Sequence, residues 1–166
     1  MTPKQVRRFQ RKVNATRRVF HYIPDKRLYG TREHWAFPPL EWRKINGLRR
    51  LVRVGDCEDG MLDAGRRFFG GKERFLTALD DGECAMWRVT TGGRNGRPNH
   101  AALEIDGHFA ETIFWTATDR PTAPYKMDED RHMIGSIYLV RKRSAQEVRA
   151  KLGMGAGHEY DIGGGP

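Results

Sequence analysis

Three residues of this sequence have the types and the order that a thiol-based catalytic site requires. Cys57 lies in the run Gly-Asp-Cys-Glu-Asp, just before a predicted helix, and His100 and Glu111 follow farther along the chain. A cysteine nucleophile needs a base close by, and the base needs a third group to orient it. The positive end of a helix dipole would also favour a thiolate at Cys57. These residues predict nucleophilic attack by a thiol that His100 deprotonates.

A predicted β-hairpin brings the base and its orienting group together. Strands at residues 99–105 and 108–115 flank Asp106-Gly107, a dipeptide that is typical of tight type I′ turns. In the register set by this turn, His100 and Glu111 are diagonal neighbours on one face of the sheet. The carboxylate can then hold the imidazole in one orientation.

The motifs "GDCED", "NHAALEIDG" and "FAET" resemble the bacterial transglutaminase-like cysteine peptidases of the papain-like superfamily. That family has Gly-Asp-Cys-Glu-Asp at a helix start, His-Ala on a strand and Asp-Asn on the next strand. The resemblance covers residues 55–112. It implies a catalytic triad of Cys57, His100 and Glu111, with glutamate in place of the family's aspartate, that cleaves peptide or isopeptide bonds through a thioester.

Acidic residues flank the cysteine on both sides. In some members of the family that the chain resembles, such residues bind calcium, and the equivalent positions here are Asp56 and Glu58. A bound dication would offset the negative charge beside the thiol. The alternative is that Asp56 caps the helix while Glu58 and Asp59 favour its positive end, and both interpretations can hold together. No other cofactor is expected.

The elements around these residues predict an α+β fold, in which the cysteine helix packs on a small antiparallel sheet as a papain-like or transglutaminase-like core. Predicted helices occupy parts of residues 1–22, 40–50, 58–69 and 75–79, and a last helix is capped by Ser144 and ended by Gly153. Predicted strands occupy residues 83–91 and 133–141 in addition to the hairpin.

The chain is expected to form one domain over residues 1–153. Residues 1–50 form a basic arm of helix and loop, and residues 51–153 form the core. A flexible glycine-rich tail is expected at residues 154–166.

Positive charge is concentrated near the start of the chain. The formal net charge is +9, and residues 1–53 hold 15 of the 30 Lys and Arg residues but only 3 of the 21 Asp and Glu residues. Such a basic arm indicates contact with an acidic protein or a nucleic acid, in addition to a protein or peptide substrate. No stretch is apolar enough to predict a membrane span.

Two functional classes follow from these observations. One is a cysteine hydrolase, and the other is a structural or accessory protein that uses the same fold for assembly and docks through the basic arm. Two cysteines do not indicate an exported disulfide framework, so a cytoplasmic location is expected. The small, basic chain without a recognisable export signal also fits a phage-encoded protein, with a virion location and virion assembly partners.

Overall fold

The computed structural model describes residues 1–31, 34–90, 100–119 and 138–153. Over these residues the protein is α+β, as predicted. In chain order the elements are α1 (Pro3–Val19), β1 (Phe20–Tyr22), α2 (Asp25–Leu28), β2 (Glu41–Ile45), β3 (Leu48–Gly55), α3 (Cys57–Phe69), α4 (Lys72–Asp80), β4 (Cys84–Thr90), β5 (His100–Ile105), β6 (His108–Glu111), β7 (Tyr138–Lys142) and α5 (Ala145–Lys151). None of the described helices has the length and apolar character needed to cross a membrane.

The larger sheet has four strands in the order β6-β5-β4-β7, and all its neighbouring strands are antiparallel. α3 packs against β5 and β6. Side chains from both layers form the core, and the largest buried ones include Met61, Leu62, Met86 and Leu103. The cysteine helix therefore lies on an antiparallel sheet, which is the arrangement that positions the candidate site.

The first helix belongs to the same core. Phe9 and Val13 of α1 are fully buried, and α1 packs against α3. The helix predicted within residues 1–22 ends earlier than expected, because Phe20–Tyr22 forms β1 and pairs in parallel with β3. α1 therefore presents its basic face outward while its apolar face stabilises the domain.

The short helix predicted for residues 40–50 is wrong. This segment is an antiparallel hairpin of β2 and β3, which completes a three-stranded sheet in the order β1-β3-β2. Asn46 and Gly47 form its turn with φ values of 48° and 82°, the positive values that a type I′ turn requires. Because most side chains of this hairpin are exposed, its sequence lacks the apolar alternation that would have indicated strands.

Other predictions agree with the described structure. Ser144 caps α5 through a hydrogen bond from the Glu147 N–H, and Gly153 follows the last helix with φ of 69°. The predicted loop at residues 92–98 and the tail at residues 154–166 lie outside the described residues, as does the first part of the strand predicted at residues 133–141.

A buried ion cluster connects α3 with its surroundings. Asp63 is completely buried and accepts a hydrogen bond from Thr16 Oγ1 at 3.2 Å. Arg66 and Arg67 bind its two oxygens at 2.5 Å and 2.6 Å, and the Arg53 Nε lies 3.4 Å away. Both oxygens of this carboxylate are therefore paired with cations.

Candidate active site

Cys57 is the first residue of α3 and follows the end of β3 at Gly55. Asp56 is the N-cap, and its carboxylate accepts a hydrogen bond from the Glu58 N–H at 3.2 Å. The predicted capping role of Asp56 is therefore confirmed. Cys57 is only 6% exposed, so its thiol lies in a closed environment at the positive end of the helix.

The hairpin of β5 and β6 places His100 against Glu111. Ala102 pairs with Glu111, and Asp106 and Gly107 at the turn have positive φ values of 46° and 74°. His100 Nε2 lies 3.0 Å from Glu111 Oε2. Both side chains are buried. The predicted turn and register are thus confirmed, and they produce the expected contact between imidazole and carboxylate.

Backbone donors fix the Glu111 carboxylate. The N–H groups of Ile113 and Phe114 both donate to it, the second at 2.7 Å. A carboxylate held in this way determines the orientation of the imidazole that it contacts. The glutamate side chain is therefore long enough to contact His100 while it accepts both backbone hydrogen bonds.

Close packing brings the start of α3 next to this hairpin. A Cβ at Gly60 would lie 2.7 Å from Thr112 Cγ2, so a residue with a side chain would not fit there without a shift. The backbone of Ala101, the residue after His100, is close enough to the Cys57 sulfur to lower the pKa of the thiol, although this effect is smaller than those that raise it. The thiol is therefore adjacent to the strand that carries His100.

The Cys57 thiol donates its hydrogen bond to Glu58 Oε2, with sulfur and oxygen 2.8 Å apart. Burial raises the pKa of Cys57 well above its usual value, and the negative charges of Glu58 and Asp56 raise the pKa further. This direction is opposite to the one expected from the helix dipole and a protonated His100. In this arrangement burial and the two carboxylates disfavour the thiolate.

Three carboxylates converge beside the thiol. Ligand atoms of Asp25, Asp56 and Asp59 lie within 4.8 Å of one another, and those of Asp56, Cys57 and Glu58 form a second such group. Asp25 and Asp59 are 2% and 0% exposed. The approach of Asp59 requires glycine at residue 55, because a Cβ there would lie 2.4 Å from Asp59 Oδ2.

The hydrogen bonds of this acidic cluster (Asp25, Asp56 and Asp59) do not neutralise its charge. Backbone N–H groups donate to Asp25 and Asp59, the latter from Ala36 at 2.7 Å. Among the described residues, no donor reaches the buried Asp59 Oδ2. Buried oxygens without donors favour either a proton or a cation.

Burial is the main cause of the shifted acidities in the acidic cluster. It raises the pKa of Asp25 to about 6, that of Asp56 to about 7 and that of Asp59 to about 8. Repulsion from neighbouring carboxylates adds to each of these shifts. Because calcium prefers hard oxygen ligands, these carboxylates fit calcium in their donor chemistry.

The two predicted metal ligands, Asp56 and Glu58, lie together in the second of these groups. Asp56 belongs to both groups, whereas the Glu58 carboxylate accepts the thiol hydrogen bond. The sequence prediction missed Asp25, which reaches the site because β1 lies parallel to β3. It also missed Tyr22, where partial burial, together with the nearby carboxylates of Asp56 and Glu58, raises the pKa to about 12.

Comparisons with protein-family models, curated proteins and solved structures gave no match for this chain.

Proposed function

We propose that this chain is a papain-like cysteine hydrolase that cleaves a peptide or isopeptide bond. Cys57 is the nucleophile, His100 the general base, and Glu111 the positioning residue that orients His100. The observation that carries the proposal is the buried His100–Glu111 contact at 3.0 Å on the strand next to the Cys57 thiol. A base that a fixed carboxylate orients, on a strand next to a thiol at a helix start, supports this role, because thiol catalysis needs a base in the neighbourhood of the nucleophile.

In this reaction the Cys57 sulfur attacks the carbonyl carbon of the substrate, and His100 accepts the thiol proton. Backbone N–H groups at the start of α3 stabilise the oxyanion that forms. His100 then donates its proton to the departing amine, which leaves a thioester on Cys57. Water attacks the thioester with His100 as base, which releases a carboxylic acid and restores the thiol.

Calcium at the acidic cluster would supply the positive charge that this chemistry needs. Asp25, Asp56 and Asp59 would hold the ion through carboxylate oxygens, of which Asp59 Oδ2 has no donor among the described residues. A cation there counters the negative charges that raise the Cys57 pKa, and thereby increases the thiolate fraction. Glu58 remains the hydrogen-bond acceptor of the thiol.

The test is the rate of Cys57 alkylation by iodoacetamide at pH 6, measured by peptide mass spectrometry with and without millimolar calcium. Cys84, which is 3% exposed, is the internal reference. We expect Cys57 to react faster than Cys84 in calcium, since a stabilised thiolate is the reactive form. His100→Ala should reduce the rate on the order of 100-fold, as loss of a general base does.

Two further variants separate the roles of the hairpin residues. Glu111→Gln should reduce the Cys57 rate less than His100→Ala, because it loosens the ring without removing it. His108→Ala is the matched control, since His108 lies on the same hairpin but contacts the Asp106 carbonyl. If Cys57 reacts no faster than Cys84 at pH 6 in either condition, the hydrolase proposal fails.

One observation favours a second function. The thiol donates to Glu58, and burial together with two carboxylates raises its pKa, as a structural cysteine would show. In this alternative the chain is a structural or accessory protein, such as a virion component, that docks on an acidic partner through its basic arm, residues 1–50. It predicts equal, slow alkylation of Cys57 and Cys84, and His100→Ala would not change either rate.

A further inference from the structure

The hairpin of β2 and β3 extends from the domain with exposed side chains on both faces. Cross-strand pairs assign these side chains to faces, because successive residues of a strand point in opposite directions. Trp42 pairs with Leu51, and Lys44 pairs with Arg49, on one face. All four are exposed, Trp42 to 58% and Leu51 to 41%. We call these four residues the Trp42 face.

The Trp42 face holds two cations that directly oppose each other. Like charges in a cross-strand pair destabilise a sheet, so the pairing of Lys44 with Arg49 has a cost in the isolated protein. Among the described residues, neither cation forms an ion pair with a carboxylate. An anionic ligand would remove this repulsion.

The opposite face of the hairpin differs. It also carries an opposed pair of cations, Arg43 and Arg50, but Arg43 Nη2 binds Glu41 Oε1 at 2.8 Å. Its apolar residues are Ile45 and Leu48 near the turn and the buried Val52 at the far end, and none of its side chains is aromatic. The two faces therefore carry equal numbers of cations. Only the Trp42 face combines its cations with an aromatic ring, and only its cations lack a carboxylate partner among the described residues.

The aromatic ring of the Trp42 face is arranged for stacking. The Arg49 guanidinium lies over the Trp42 ring, 5.1 Å from its centroid. Arginine on tryptophan gives a flat, cationic surface, and such surfaces stack on nucleobases. An acidic peptide would need the cations but would gain little from this exposed ring.

Basic and aromatic residues continue beyond Lys44. This side chain lines a cavity of about 410 Å³ whose wall also includes Tyr22 and Arg27. Tyr22 is 55% exposed. Cations and exposed aromatic rings thus alternate from Trp42 to the cavity, which is the combination that binds the backbone and bases of a single strand.

We propose that the Trp42 face binds single-stranded nucleic acid, with a base stacked on Trp42 and phosphates bound by Lys44 and Arg49. The proposal does not depend on Cys57 chemistry. Its test is fluorescence anisotropy of the full chain with a labelled oligothymidine of roughly 15 nucleotides, the upper range of a compact single-strand site. Affinity is measured over a series of salt concentrations.

We expect Trp42→Ala to weaken binding about tenfold, since stacking on one aromatic ring contributes on that order. The double variant Lys44→Gln with Arg49→Gln should weaken binding at least as much. It should also lower the slope of log affinity against log salt by about 1.4, because each phosphate contact on a single strand contributes about 0.7.

The matched control is Arg43→Gln with Arg50→Gln, which removes the same charge from the opposite face of the same hairpin. The affinity of this control variant for oligothymidine should stay within about threefold of that of the original chain, because the substitutions reduce only the long-range electrostatic attraction. Equal losses in the two double variants would overturn the proposal. So would a Trp42→Ala variant that binds oligothymidine normally, or tighter binding of polyglutamate than of oligothymidine, which would indicate an acidic protein.

Discussion

Asp59 and Asp63 lie one turn apart on α3, and both are completely buried. Arg53, Arg66 and Arg67 surround Asp63, whereas Asp59 faces other carboxylates. Burial of a charge is stabilising only where partners compensate its loss of hydration. The helical turn at Asp63 therefore carries a carboxylate paired with cations, and the helical turn at Asp59 carries, beside the thiol, a buried carboxyl group without such partners among the described residues.

The largest expected effect is at Asp63. Asp63→Asn should lower the free energy of unfolding by about 3 kcal/mol or more, because it leaves the neighbouring arginines without their shared carboxylate. Urea unfolding measures the change. Asp80→Asn is the control, since Asp80 pairs with Arg149 at the surface and its loss should cost less than about 1 kcal/mol. Equal losses would mean that the buried ion cluster does not differ from a surface pair.

Calcium should stabilise the protein only through the acidic cluster that includes Asp59. At a concentration 100 times its Kd, a ligand adds about 2.7 kcal/mol to stability, which raises Tm by roughly 5–10 °C for a domain of this size. We expect this shift in the original chain, measured by differential scanning calorimetry at pH 8. Asp59→Asn should abolish most of it. A calcium shift that survives in this variant would place the ion elsewhere.

A smaller effect concerns pH in the absence of calcium. Burial raises the pKa of Asp59 from 3.8 to about 8, so the folded chain retains a proton that the unfolded chain has lost. The stability from this group is fully present below about pH 4 and decreases as pH rises toward 8. Tm should therefore fall by at least a few degrees between pH 5 and pH 8. In Asp59→Asn the fall in Tm should be smaller. If Tm depends on pH in this variant as it does in the original chain, Asp59 is not the cause of the fall.

Parts of this site could be predicted because their signals are local. Asp106-Gly107 determines a turn, the turn determines a register, and the register places His100 beside Glu111. Asp56 precedes a helix and caps it. In each case the interacting residues are near in sequence, so turn and cap chemistry are sufficient.

Other parts depend on contacts between distant segments. Asp25 reaches Asp56 through the parallel pairing of β1 with β3, and no pattern near residue 25 indicates that pairing. The choice of Glu58 as acceptor for the thiol depends on side-chain packing that periodicity does not encode. The hairpin at Asn46-Gly47 had the same turn signal as Asp106-Gly107, but its exposed, cationic strands obscured it.

Gly60 carries no functional group, yet the hydrogen at its Cα determines how closely a helix can approach a hairpin. A methyl group there would meet Thr112 Cγ2 at 2.7 Å, with Phe20 and Trp115 atoms at 3.3 Å. To admit it, either the Thr112 side chain or α3 would have to shift, and Cys57 lies about one turn earlier on the same helix. Because a displacement of about 1 Å can slow a positioned reaction about 100-fold, the rate of the proposed reaction is sensitive to the size of a residue that never contacts the substrate.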